Sequence, residues 1–382
     1  MTEPIVSVII PVYHPKKEYI DRLLDSVVRQ TIDIEQLEII MVSDGDETES
    51  TKSILAEWEA KFPDHIMLIY YSENQGPGYA RTLGMEYATG KYIAFADQDD
   101  WISLEMYRVL VEAAERENCE IAGGFSTRDR EYVRPEAGVR VRTGSEDVIW
   151  DIQDTSQRKE FLVKRQMGGY WCSIYRKEFL EKNDIYFPSG VTYDDNFFGK
   201  LCMYYVTRVA VLGEYFYHWF VNEQSISMVT DGTTHFDRLK VELLSLQALK
   251  ERGFWENYHD EIELSFIEMY YINTMHTFFW HLQTIPYQTY LKMCQQIKKE
   301  FPNYRSNPYF SSELEQYACY SWSYYPYVYS YYCDQGNAER VQLLEGMPDK
   351  IKEASWLDTI DGDFTEEELT WYKILQMLIS QL

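Results

Sequence analysis

The chain has 382 residues, a hydrophobic fraction of 45% and a formal net charge of −26, from 36 Lys and Arg against 62 Asp and Glu. That balance repels polyanions and excludes nucleic acid as a partner; an anionic membrane could be met only through a local basic or aromatic patch, so peripheral membrane contact stays open. The length accommodates two domains, each with its own core.

The opening segment MTEPIVSVII has neither the basic flank nor the cleavage site of a secretory signal. No apolar run approaches the roughly 20 residues of a membrane span, so the expected location is the cytoplasm, with the inner face of the membrane left open. Six cysteines, at 119, 172, 202, 294, 319 and 333, are scattered without metal-ligand spacing and read as reduced thiols.

VSVIIPV (6–12) is the β-branched apolar run of a buried parallel strand. In KKEYIDRLLDSVVRQ, Ile20, Leu23, Leu24, Val27 and Val28 recur at helical spacing. LEIIMVSDGD (37–46) repeats the scheme of strand and acidic turn, and Ile54, Leu55, Trp58 and Phe62 mark the next amphipathic helix. HIMLIYY (65–71) is a third strand. Pro77 suits the first turn of a third helix and Gly90 its stop, before the fourth strand KYIAFA. Alternation at this spacing predicts an α/β fold with a mostly parallel sheet flanked by helices. Ligands of such sheets lie beyond the carboxyl ends of the strands, where Tyr13, Asp44, Asp46 and the DQDD cluster (97–100) would gather along one rim.

Residues 125–160 read as loops and an edge element. Beyond about residue 230 the pattern becomes helical: Asp237 is placed to cap one helix that ends before Gly253, and Thr365 with Glu368 forms a capping box before the last. The expected domains are 1–229, with halves 1–124 and 125–229, and a mostly α-helical 230–382. The tyrosine-rich stretch from Tyr317 to Tyr332 offers phenol rings to a glycan, or else makes a core or a homo-oligomer contact through the C-terminal domain.

Three carboxylates in four positions raise one another's pKa unless a cation neutralises them. Mg²⁺ or Mn²⁺, which takes oxygen ligands from protein, water and phosphate, would do so. The competing reading is an acidic helix start, with Asp99 or Asp100 capping WISLEMYRVLVEAAE.

Taken together, SVIIPVY, SDGD, NQGPGYARTLGMEYATGKYIAFADQDDW and FPSGVTYDDNFF resemble the family 2 glycosyltransferases of the GT-A fold. The resemblance covers about 120 residues and resumes at the acidic pair Asp194–Asp195. It implies a nucleotide-sugar donor, most often a UDP-sugar. Pro11, Tyr13, Asp44, Asn74, Gly76, Arg81 and Asp97 would form the nucleotide pocket. Ser43 stands where the family often has a second Asp, which leaves the identity of the base open. Asp97 and Asp99 would hold Mn²⁺ or Mg²⁺. His218, in YFYHWF, would be either an additional metal ligand or a hydrogen-bonded core histidine. Trp171 falls where the family places acceptor-side residues, although packing under the sheet explains it almost as well.

The chemistry implied is direct displacement at the anomeric carbon with inversion. The cation stabilises the departing diphosphate, and a carboxylate takes the proton of the attacking hydroxyl. Asp195 aligns with that base better than Asp194, and burial beside Tyr193, Phe197 and Phe198 would raise its pKa, while the other member of the pair caps the following helix. The acceptor would be a glycan, teichoic-type or lipid-linked hydroxyl. Two other readings stand beside this one. A sugar-nucleotide nucleotidyltransferase is disfavoured because PVYHPKKEY lacks a glycine-rich phosphate loop. A non-catalytic glycan-binding protein on the same fold is disfavoured by the intact acids.

Overall fold

The computed structural model describes residues 3–164, 168–221, 234–274, 277–278, 287–303 and 306–309. The chain divides into two compact units, residues 1–225 and 226–382.

The first unit is built on one sheet. Strand β1 (Val6–Val12) is buried at every position and pairs in parallel with β2 (Leu37–Asp44) and β4 (Tyr92–Phe95), so that Val8 lies between Ile39 and Ala94. β3 (Ile66–Tyr71) extends the parallel edge beside β2. Helix α1 (Lys17–Val28) buries Ile20, Leu23, Leu24 and Val27, a stripe at helical spacing that stabilises by on the order of 2 kcal/mol per side chain. α2 (Glu49–Lys61) starts at Thr48, whose hydroxyl accepts the Thr51 N–H, and buries Ile54, Leu55 and Trp58. α3 (Pro77–Tyr87) has proline in its first turn, as expected, and follows Gly76 at φ +86°.

Beyond β4 the structure departs from the helix expected to begin at Trp101. Trp101–Ile102 form a short strand, β5, and α4 begins only at Met106 and runs to Glu117. The reason is tertiary: Ile102 and Trp101 pair antiparallel with Tyr217 and His218, more than a hundred residues away. Residues expected as loops are also more ordered than their charge implies. They comprise β6 (Ile121–Asp129), β7 (Val141–Arg142), β8 (Val148–Asp151) and α5 (Thr155–Lys164).

β9 (Ser173–Arg176) lies antiparallel between β4 and β6, α6 (Lys177–Lys182) follows it directly, and α7 covers Asp194–Tyr205. β10 (Arg208–Phe220) runs parallel to β6, and β8, β7 and β5 pair in turn along its other edge. The order β3-β2-β1-β4-β9-β6-β10-β5 places the carboxyl ends of β1, β2 and β4 side by side.

All described elements of the second unit are helical: α8 (Asp237–Glu251), α9 (Trp255–Phe266), which continues as a π-helix over Ile267–Asn273, and α10 (Tyr287–Glu300). Asp237 is the first residue of α8 and not its N-cap, which is Phe236; Gly253 lies just past the end at φ +79°. The Tyr317–Tyr332 segment and the Thr365–Glu368 capping box lie outside the described residues.

Candidate active site

The loop after β4 is held from three sides. Asp97 accepts hydrogen bonds from Arg81 Nη2 at 2.7 Å and from the Tyr170 hydroxyl at 3.1 and 3.2 Å. Its own N–H donates to the Tyr217 hydroxyl, which donates in turn to Asp100 Oδ2 at 2.7 Å. Gln98 clasps Tyr13, accepting from its N–H and donating to its carbonyl. Arg22 donates to the Asp99 carbonyl.

Asp100 is therefore not a helix cap. It is 1% exposed, takes the Phe220 N–H and the Tyr217 O–H, and anchors the loop to the end of β10. Burial, with the charges of Asp99 and Asp97, raises its pKa well above the carboxylate range.

Arg81 joins this loop to α7. Its Nη1 donates to Asp194 Oδ2 at 2.6 Å, and its guanidinium lies 4.9 Å from the Tyr170 ring centre. The guanidinium expected to contact a nucleotide is thus turned inward, buried, and shared by two carboxylates. The physical reason is its place in the second turn of α3, which faces Tyr170 and Phe187 and not the rim. Arg81 is held well above its ordinary pKa: burial opposes the charge, but Tyr170, Asp194 and Asp97 outweigh it.

The expected base pair separates by environment. Asp194 is 3% exposed and its pKa is raised, by burial first and against the pull of Arg81. Asp195, next in the first turn of α7, is half-buried. The burial expected at Asp195 therefore falls on Asp194. Neither residue caps α7, because the N-cap is Tyr193 in the left-handed region at φ +63°.

The nucleotide-side residues gather at the carboxyl ends of β1 and β2. Pro11 is buried within β1 opposite Val42, whereas Tyr13 just beyond is 42% exposed. Asp44 is buried, and its Oδ1 accepts from the Tyr71 hydroxyl and the Gln75 N–H, both at 2.7 Å. Asn74 donates to the Asp44 carbonyl. This loop comes so close that a Cβ on Gly45 would sit 2.2 Å from the Asn74 nitrogen. Gly76 leads the chain into α3, and Gln75 accepts from Gly190, so the loops before α3 and α7 touch. Asp46 braces the turn from below. The Thr51 hydroxyl and the Thr48 and His14 N–H groups donate to its carboxylate, outweigh burial and lower its pKa to about 2.

His218 stacks on Trp101 at 5.2 Å, and its Nδ1 lies 3.0 Å from Asp129 Oδ2 and 3.1 Å from the Thr127 hydroxyl. Trp171 packs against the core cluster, with its ring 4.8 Å from Tyr170 and 6.0 Å from Tyr217. Its buried indole N–H has no partner among the described residues.

Sequence reasoning missed Tyr170, Tyr217 and Gln98, which orient the acids without belonging to any acidic motif. The signal for Tyr217 was strand alternation: it precedes His218 and must face the opposite side of the sheet. Tyr170 carried none beyond its place beside Trp171.

Residues 7–183 match the family model described as glycosyl transferase family 2, which falls within the unit that carries all of these side chains. That unit belongs to glycosyl transferase family 2. The chain is 33% identical to the uncharacterized glycosyltransferase EpsJ of Bacillus subtilis (strain 168) over 59% of its own length, and spans 64% of that relative. It is 28% identical to the putative glycosyltransferase EpsH of the same organism, over 69% of this chain and 74% of that one. The crystal structure of Staphylococcus aureus TarS shares this GT-A fold, with a TM-score of 0.61 at 18% identity, covering 90% of this chain and 55% of TarS. TarS is named a poly(ribitol-phosphate) β-N-acetylglucosaminyltransferase.

Proposed function

We propose that the protein is an inverting, metal-dependent glycosyltransferase that moves a sugar from a nucleotide diphosphate, a UDP-sugar in the first instance, to a hydroxyl of a glycan, teichoic-type or lipid-linked acceptor. The observation that carries this reading is the Asp97–Arg81–Asp194 bridge, because it brings the acidic loop after β4 and the acidic start of α7 to one place. The family assignment supports it, as does the acceptor class in the name of TarS.

Carboxylate oxygens are the donors a hard divalent cation takes, and two carboxylates against one guanidinium leave the loop short of positive charge. We assign Mn²⁺ or Mg²⁺ to Asp99 as the leading ligand, with Asp97 beside it and His218 as a further candidate, on their donor chemistry alone, because among the described residues these three do not converge as a ready-made ligand set. When bound, the cation would supply Lewis-acid stabilisation to the diphosphate as it leaves.

The chain's own residues do the rest. Tyr13, set beyond β1 and clasped by Gln98, and Asp44, Asn74 and Gly76 at the neighbouring turns form the nucleotide end. Pro11 shapes the strand end beneath them. Arg81 acts as a positioning residue that fixes Asp97 and Asp194. Asp195 takes the proton of the attacking hydroxyl, since it is the more exposed member of the pair, while Asp194 is buried against Arg81. Trp171 is the candidate on the acceptor side, where its ring packs against Tyr170 and its indole N–H is buried without a partner among the described residues.

The test is release of nucleoside diphosphate from a panel of nucleotide sugars with and without Mn²⁺, alongside calorimetric titration of Mn²⁺ in the presence of UDP. Asp99→Ala should lose both turnover and the metal-dependent heat. Unchanged turnover in that variant would refute the metal assignment, and pyrophosphate release from a nucleoside triphosphate would favour the nucleotidyltransferase reading.

A further inference from the structure

An open surface depression of about 690 Å³ lies outside the residues just assigned, on the flank of α1. Four aromatic side chains line it: Tyr19, Trp58, Tyr132 and Phe220. Its charged lining balances, with three carboxylates and three guanidinium groups. Much of that charge is fixed internally, because Asp25 is taken by Arg29 and Arg134, and Asp21 accepts the Trp58 indole N–H at 2.8 Å.

Arg22 is held as well, but not at every donor. It is 9% exposed, its guanidinium stacks 3.9 Å from the centre of the Phe220 ring and 4.4 Å from that of Tyr19, and its Nη2 donates to the Asp99 carbonyl. Its buried Nε–H has no hydrogen-bond partner among the described residues. A buried donor left unmatched is costly, so a ligand oxygen that met it would bind with a specific gain.

We propose that this depression is a subsite for a neutral sugar unit of the acceptor chain. A pyranose has an apolar face that suits tyrosine, tryptophan and phenylalanine rings, and hydroxyls that both accept from Arg22 and donate to the carboxylates of Glu18 and Asp21. A nucleotide or lipid phosphate would call for an excess of positive charge, which this lining lacks. The position fits a chain running past the donor cleft, since Arg22 holds the Asp99 carbonyl and Phe220 N–H holds Asp100 at 2.7 Å. The proposal rests on the glycosyltransferase reading only for the word acceptor; the binding of sugar stands by itself.

The full chain would be titrated calorimetrically with chitohexaose, cellohexaose, maltohexaose and a ribitol-phosphate oligomer, each with and without saturating UDP and Mn²⁺. At least one neutral oligosaccharide should bind in both conditions, and Tyr132→Ala, which truncates a side chain 39% exposed, should weaken it about tenfold or more. Donor hydrolysis and melting temperature should stay at wild-type values in that variant. Loss of donor hydrolysis in the wild type with sugar binding intact would overturn the enzymatic reading and leave the subsite standing. The subsite is refuted if no neutral oligosaccharide binds, if UDP and Mn²⁺ displace it, if only anionic polyol-phosphate oligomers bind, or if Tyr132→Ala binds as tightly as wild type.

Discussion

Arg81 and Asp194, 113 positions apart in the chain, meet at 2.6 Å inside the protein, and the second arm of the same guanidinium reaches Asp97 at 2.7 Å. One side chain therefore sets the spacing between the loop assigned to the leaving group and the helix assigned to the attacking one.

Removing that side chain should be severe. Arg81→Met leaves two carboxylates facing each other without a counter-charge, a change that costs about 3–5 kcal/mol when a buried partner is deleted. Arg81→Lys keeps the charge but has no planar fork to span both acids, so it should recover part of the stability and little of the turnover. Thermal unfolding and nucleotide release, measured on both variants, check this; equal turnover in Arg81→Lys and wild type would argue against the positioning role.

The two acids of α7 should part company under mutation. Asp195→Asn is expected to lower kcat by about 10²–10⁴ with little change in melting temperature, as for loss of a general base. Asp194→Asn should instead lower the melting temperature, because Arg81 loses a charged partner. Single-turnover assays beside melting curves distinguish the two, and a reversed pattern would transfer the base to Asp194.

Stability should depend on Asp46 in a defined pH window. Its folded pKa, about 2, lies below the ordinary value of 3.8, so its contribution is complete above pH 4 and is lost as pH falls through 3.8 towards 2. At pH 7 Asp46→Asn should be less stable by about 1–2 kcal/mol after allowing for solvent screening, and this deficit should shrink below pH 4. Denaturant titrations at several pH values would show it; a deficit that does not vary with pH would mean the hydrogen bonds act independently of charge.

Gly78→Ala tests how tightly α3 seats on the loop before α7. A Cβ there would lie 2.3 Å from the Pro188 carbonyl oxygen and 3.0 Å from the Asp194 side chain. Forcing the two apart should cost about 1–3 kcal/mol and lower donor turnover together. Wild-type values for both would show that the loop yields freely.

The alternating half of the fold was legible from the chain alone. β1 to β4 follow short apolar runs, α1 and α2 follow apolar periodicity and α3 follows its proline start, and the buried stripe of α1 is the one read from Ile20, Leu23, Leu24 and Val27. What was not legible depends on distant partners. Trp101 and Ile102 look helical beside Met106, yet form a strand because β10 is there to pair with them. Arg81 gave no hint of its two acids, and Asp100 resembled a cap until Tyr217 and Phe220 took its oxygens. Local pattern fixes elements, whereas the orientation of a side chain at a rim is decided by neighbours that sequence spacing does not reveal.

β10 carries a temporal consequence. Tyr217 and the Phe220 amide shape the acidic loop, but both emerge more than a hundred residues after it during synthesis. A nascent chain stopped before Arg208 would lack the rail on which that loop is set. Asp97 would keep Tyr170, but Asp100 would stand without its Tyr217 tether, so the loop is fully set only once the thirteen residues of β10 have left the ribosome and zipped in.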